Sequence, residues 1–128
     1  MVPKSFLIFH NPQVARSEAL ANTIDASLRT THVCYSECTT LAAAEERALR
    51  PAPDMLVAVG GDGTMLRVSR LGAQLGCPVL GINLGRVGFL LEVPEAEWQA
   101  ALVRVVAGDF CWSRACWCMR NTCAPARA

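Results

Sequence analysis

No run of apolar residues in this chain approaches the roughly 20 that a helix needs to span a bilayer, so the reading contains no membrane span. Net charge is nearly missing as well: 12 Lys and Arg stand against 11 Asp and Glu, which leaves +1 and a pI near 7.6. That balance removes the electrostatic argument for a nucleic acid or an anionic membrane as partner. Internal repeats and low-complexity linkers are lacking before residue 108. The opening Met1-Val2-Pro3-Lys4 and the short apolar stretch behind it carry no small-residue cleavage signature, so a cytoplasmic location is expected. An even cysteine framework is lacking too. There are seven, of which Cys111, Cys116, Cys118 and Cys123 crowd into the last stretch, while Cys34, Cys38 and Cys77 read as ordinary buried or loop thiols of a reducing compartment.

What remains is 128 residues, 13.8 kDa and 52% hydrophobic side chains, enough for one domain with a sizeable core. Ser5-Phe6-Leu7-Ile8-Phe9 reads as a buried strand closed by His10-Asn11-Pro12, and Ser17 to Leu28, with Leu20, Ile24 and Leu28 at spacing four, as a helix. Thr31 to Tyr35 predicts a second strand, and Leu41 to Leu49 a second helix ended by Pro51 and Pro53. Met55 to Val59 is a third strand. It runs into a glycine turn and a helix bearing Met65, Val68, Leu71 and Leu75, which Gly76 and Pro78 stop. Pro78 to Asn83 is a fourth strand and Val87 to Leu91 a fifth extended segment. Pro94 is expected to open a helix through Val106, with Trp98, Leu102 and Val105 or Val106 on one face and Gly108 after it.

Strands alternating with helices predict right-handed βαβ units: an α/β, Rossmann-like, mostly parallel sheet flanked by helices. In such a sheet ligands bind outside the carboxyl ends of the strands. Asn11, the Asp62 turn and Asn83 each follow a strand, so three polar loops are expected to converge on one cleft.

Two motifs carry chemistry. In Gly60-Gly61-Asp62-Gly63-Thr64 small residues surround one carboxylate directly after a buried strand. Glycines there let backbone approach a ligand, and the helix that follows presents free N–H groups to phosphate. A carboxylate beside bound phosphates suits a proton acceptor in phosphoryl transfer; the plainer alternative is that Asp62 caps the helix. Arg67 could reach the same cleft as an anion ligand, or be a solvated helix charge. The second motif, Gly81-Ile82-Asn83-Leu84-Gly85-Arg86-Val87-Gly88-Phe89-Leu90, offers bare backbone to a flat ring or a phosphate, or is simply a run of turns linking strands.

Taken together, in that order and spacing, the two segments resemble the signature segments of the NAD kinase family, and Asn11-Pro12 is similar to its opening Asn-Pro. The resemblance covers about residues 5 to 110. It implies transfer of the terminal phosphate of ATP, or of polyphosphate, to the 2′-hydroxyl of the adenosine ribose of NAD, giving NADP, with Mg2+ or another divalent cation. It also implies Asp62 as proton acceptor, Asp62, Gly63 and Arg67 together with Gly60, Gly61 and Thr64 at the nucleotide, and Asn83 and Phe89 lining the cleft. Small-molecule nucleotides are then the partners, and a homo-oligomer is expected of the family. Diacylglycerol-type lipid kinases share the Gly-Gly-Asp-Gly turn but follow it differently.

The family carries a second, mostly β domain, which is expected to be absent here, and the chain is expected to be weak or inactive alone; the alternative is a catalytically dead nucleotide-binding remnant. Residues 1–108 are thus expected to form the α/β nucleotide-binding domain and 109–128 an atypical Cys/Trp/Arg-rich tail outside it. A zinc site on the four tail cysteines, a specialised tail, and a segment out of register with the parent coding frame are the readings of that tail, the last being expected.

Overall fold

The computed structural model describes residues 2–31, 35–40, 42, 52–84, 93–112 and 117–119, with backbone alone for 35, 110–112 and 117–119. Among these, β1 (Ser5–His10), α1 (Ala15–Arg29), β2 (Tyr35–Thr39), β3 (Met55–Gly60), α2 (Asp62–Leu75), β4 (Val79–Asn83) and β5 (Val93–Pro94) follow one another. A short 3-10 turn (Glu95–Glu97) then leads into α3 (Trp98–Val106) and the strands β6 (Phe110–Trp112) and β7 (Trp117–Met119).

Five strands form one sheet in the order β2-β1-β3-β4-β5, every pairing parallel. Parallel strands need both faces covered, and the two apolar runs without polar interruption are the central pair. All six residues of β3 are buried, as are Phe6, Leu7, Ile8 and Phe9 of β1. Leu20, Ala21, Ile24 and Leu28 of α1, and Met65 and Val68 of α2, pack into the same core as β1 and β3. Each such Leu or Ile burial is worth about 1.5–3 kcal/mol against exposure.

The termini of α2 follow the glycines that flank it. Gly61 is its N-cap, and Gly76, left-handed at φ 71°, closes it by donating its N–H to Gly72 O. Gly72 serves packing instead: a Cβ there would meet Val79 Cγ2 at 2.7 Å and Cys77 O at 2.9 Å, so only glycine lets the helix sit this close to the start of β4.

Several boundaries differ from the sequence reading. Among the described residues the second strand is Tyr35–Thr39, extending beyond the expected end at Tyr35, while Thr30 and Thr31 turn their hydroxyls back onto Ser27 O and Leu28 O, both at 2.7 Å, and belong to the exit of α1. β2 lacks an apolar run and is held by polar ties to α1 instead. Ser36 Oγ donates to the Asp25 carboxylate, Arg29 Nη2 donates to Ser36 O at 3.0 Å, and Cys38 Sγ meets Ala21 O. Helix α1 begins at Ala15, ahead of Ser17. Pro94 ends β5 and precedes the 3-10 turn, with the α-helix proper starting at Trp98. Leu102 and Val105 are its buried face, as expected, and Gly108 follows at φ 78°. The expected helix over 41–49, apart from Ala42, and the extended segment 87–91 lie outside the described residues. Within the stretch expected to be a Cys/Trp/Arg-rich tail outside the domain, β6 and β7 pair antiparallel.

Candidate functional site

The order β2-β1-β3-β4-β5 contains one reversal. From β1 the chain moves outward to β2, then returns past β1 to β3 and continues the other way. Connections leaving β1 and β3 therefore diverge, and a crevice opens between the carboxyl ends of these two strands, where open α/β sheets bind ligands. The residues at its lip are His10 and Asn11 on one side and Gly60 and Gly61 on the other, since His10 stands beside Val59 in the register.

The two lips are built differently. After β1, Asn11 Oδ1 accepts from Gln13 N at 3.0 Å and Asn11 O from Val14 N at 3.1 Å, which folds Asn11-Pro12-Gln13 into a compact turn before α1. Ser17, completely buried, fastens that turn to the neighbouring strand: its Oγ accepts from Asn11 N at 2.8 Å and donates to Val59 O at 2.7 Å. One hydroxyl thus joins the two strand ends and fixes the width of the crevice.

After β3 the turn uses backbone instead. A Cβ on Gly60 would come within 2.9 Å of Thr64 Oγ1 and 3.2 Å of Thr64 Cβ, so a bare residue is needed for the first turn of α2 to fold under the strand end. Gly61 and Gly63 are the opposite case, with nothing within 4 Å of an added Cβ. Their missing side chains leave open space over the N-terminus of α2, whose first amides have no partner within the helix. Leu84 N donates to Gly60 O at 3.1 Å and ties the end of β4 to this turn.

Two cavities flank Asn11 and Gly61. One, of about 350 Å3, is lined by Phe9, His10, Gly63, Thr64 and Arg67 among others; the second, of about 330 Å3, by Arg16, Ser17, Gly60, Asn83 and Leu84 among others. The expected convergence is therefore present: Asn11, the Gly60-Gly61 turn and Asn83 meet around the second cavity. Gly61, Gly63, Thr64 and Arg67 meet around the first. Asp62 lies between as the first residue of α2, half-buried, with its flanking glycines rather than its own side chain in the linings. The N-cap position belongs to Gly61, so Asp62 is a first-turn acid favoured by the helix dipole, not the cap. Arg67 is exposed and faces the first cavity, which gives the anion-ligand reading a geometric basis. Asn83 is buried at the end of β4, opposite Gly60. Phe89 lies outside the described residues.

Among the described residues no group of three or more His, Cys, Asp or Glu is arranged to hold a metal ion. The side chains of Cys111, Cys116, Cys118 and Cys123 are outside those residues. Cys38 and Cys77 are free thiols whose pKa burial pushes up to about 11, the behaviour of structural rather than reactive cysteines. No helix among the described residues is long and apolar enough to cross a membrane.

His10, Arg16 and Ser17 were not singled out in the sequence. Their importance depends on β1 lying beside β3, which no local pattern encodes; the one available signal is that His10 ends a buried strand and Ser17 opens the following helix pattern.

Comparison with known proteins agrees with this arrangement. Residues 6–110 match the ATP-NAD kinase N-terminal domain. NAD kinase of Nitratidesulfovibrio vulgaris is 56% identical over 61 residues, 48% of this chain and 20% of the relative. NAD kinase of Heliobacterium modesticaldum is 53% identical over 57 residues, 44% of this chain and 20% of the relative, and that of Methanopyrus kandleri 51% over 57 residues, 44% and 21%. The chain thus matches about a fifth of the length of these relatives. With the family match running from β1 to the start of β6, the chain belongs to the ATP-NAD kinase N-terminal domain family.

Proposed function

We propose that this chain supplies the phosphoryl-donor half of an NAD kinase site, in which the terminal phosphate of ATP or polyphosphate passes to the 2′-hydroxyl of the adenosine ribose of NAD. The observation that carries the reading is the bare Gly60-Gly61-Asp62-Gly63 turn at the β1/β3 crevice, with open space over both Gly61 and Gly63 and Arg67 on the cavity wall. Phosphoryl transfer asks little covalent chemistry of a protein. It needs the phosphates held, the acceptor oxygen in line, and its proton removed.

Exposed amides at the start of α2 and the Arg67 guanidinium bind the phosphate chain. The close approach of Gly60 to Thr64 seats the first turn of α2 against the strand end. Asp62 takes the proton of the ribose hydroxyl as its oxygen bonds to the terminal phosphorus and the bond from that phosphorus to the leaving phosphate oxygen breaks. Asn83, buried at the lip of the second cavity, fits an acceptor contact there. A divalent cation, when bound, neutralises charge on the phosphates. It would be held by the substrate phosphates and water, as magnesium commonly is, while Asp62 acts as the base. The assembly is proposed as a homo-oligomer working in the cytoplasm on small-molecule nucleotides.

A nucleotide-binding fragment without turnover is the second reading, because the chain matches about a fifth of the relatives that bear the kinase name. The test assays NADP formation from ATP, NAD and Mg2+ by the chain alone and mixed with the remaining portion of a relative. Turnover in either preparation supports the kinase reading, and binding without turnover in both supports the fragment. In the active preparation Asp62→Asn is expected to lower turnover about 10²–10⁴-fold; undiminished turnover would remove Asp62 from the base role.

A further inference from the structure

His10 closes β1, is partly buried, and lines the cavity of about 350 Å3 beside the start of α2. Its Nδ1 is buried and has no hydrogen-bond partner, a condition that among the described residues only Arg104 Nη2, on α3, shares. A buried N–H without an acceptor is costlier and rarer than a buried lone pair without a donor. The neutral imidazole therefore keeps its proton on Nε2. Because Nδ1 is the buried nitrogen and His10 lines the cavity, Nε2 is the nitrogen left to meet a ligand, and it meets that ligand as a donor.

The other polar walls of this cavity have the same character. Thr64 offers a hydroxyl and Arg67 a guanidinium, and Gly61 and Gly63 leave the α2 amides uncovered. Asn11 Oδ1, an acceptor, is already engaged by Gln13 N, and no described carboxylate lines the cavity. A cavity bounded by donors on both the β1 side and the α2 side selects an anion rich in acceptor oxygens. We propose that His10 is a phosphate-contacting residue, donating its Nε2–H to a phosphoryl oxygen of the donor's phosphate chain from the wall opposite Arg67. The inference rests on the phosphoryl-donor reading above and adds a residue that neither signature segment contains.

Tripolyphosphate is the probe. The chain has two histidines, so in protein labelled with 15N-histidine the His10 signals are assigned by comparison with His32→Gln. Free protein is expected to show the Nε2–H tautomer at His10, and titration with tripolyphosphate to shift its Nε2 saturably while His32 stays still. His10→Ala is expected to weaken tripolyphosphate binding about tenfold or more, the usual effect of deleting a hydrogen bond to a charged group. His10→Gln, whose amide can donate from a similar position, is expected to restore it to within about threefold. Saturable binding to wild type with silent His10 signals, an Nδ1–H tautomer, or an alanine variant that binds like wild type overturns the role of His10 and leaves the donor site standing. Failure of wild type to bind tripolyphosphate at all overturns the donor site with it.

Discussion

Two strand-to-helix turns stand side by side at the carboxyl end of the sheet, and they are built on opposite plans. The turn after β1 is closed by side chains: Asn11 folds back on Gln13 N, and Ser17 bridges Asn11 N and Val59 O from a fully buried position. The turn after β3 is stripped of side chains, with Gly60 pressed against Thr64 and with Gly61 and Gly63 opening onto empty space. From Asn11 to Ser17 the first turn commits Asn11 N, Asn11 Oδ1 and Asn11 O to internal hydrogen bonds. The second leaves the amides of a 14-residue helix uncovered beside a crevice. The rigid turn fixes where the open one sits, and function needs both.

Replacing Ser17 breaks the comparison on its rigid side. Ser17→Ala leaves Asn11 N without its acceptor and Val59 O without its donor, and is expected to cost about 1–3 kcal/mol, read as a lowered urea midpoint at unchanged slope. On the open side, Gly60→Ala forces a Cβ to within 2.9 Å of Thr64 Oγ1 and is expected to destabilise by about 1–2 kcal/mol and to weaken nucleotide binding in the same variant. Gly63→Ala separates the two properties. The residue is helical with free space around it, so stability is expected to rise by about 0.5–1 kcal/mol while affinity for ATP falls; a gain in both would show that Gly63 is not kept bare for a ligand.

An effect confined to alkaline pH concerns the thiols Cys38 and Cys77. Burial disfavours the thiolate and pushes Cys38 and Cys77 up to about 11 from the ordinary 9.0. Between those values the unfolded chain binds fewer protons than the folded one. Their contribution to stability is therefore complete below about pH 9 and is lost as the pH rises toward about 11. Urea titrations at stepped pH check the sign, and alkylation of either thiol at neutral pH is expected to be slow.

The parts of the fold that are legible in the sequence are those where one segment's own composition decides the outcome. β1 and β3 are continuous apolar runs, and α2 is bounded by Gly61 and Gly76. The second strand is expected but placed too early, because β2 has no apolar run and its ties to α1, from Ser36 and Cys38 on the strand and from Arg29 on the helix, are not revealed by a local pattern. The same holds for the site. Gly60 to Thr64 stands out within its own segment as bare residues around a carboxylate after a buried strand, and its pairing with the Gly81 segment is what separates a ligand turn from a plain helix start. Ser17 and His10 acquire their roles only once β1 is placed beside β3, and the strand order that does this lies in long-range packing.

The central claim, that the amides of the open turn bind phosphate while the turn from Asn11 to Ser17 positions them, is tested most directly by backbone amide shifts during an ATP titration of the 15N-labelled chain. The account predicts the largest saturable shifts at Gly61, Gly63 and Thr64, with Gln13 to Ser17 moving little. Shifts centred on Gln13 to Ser17 with Gly61 to Thr64 unmoved would contradict it.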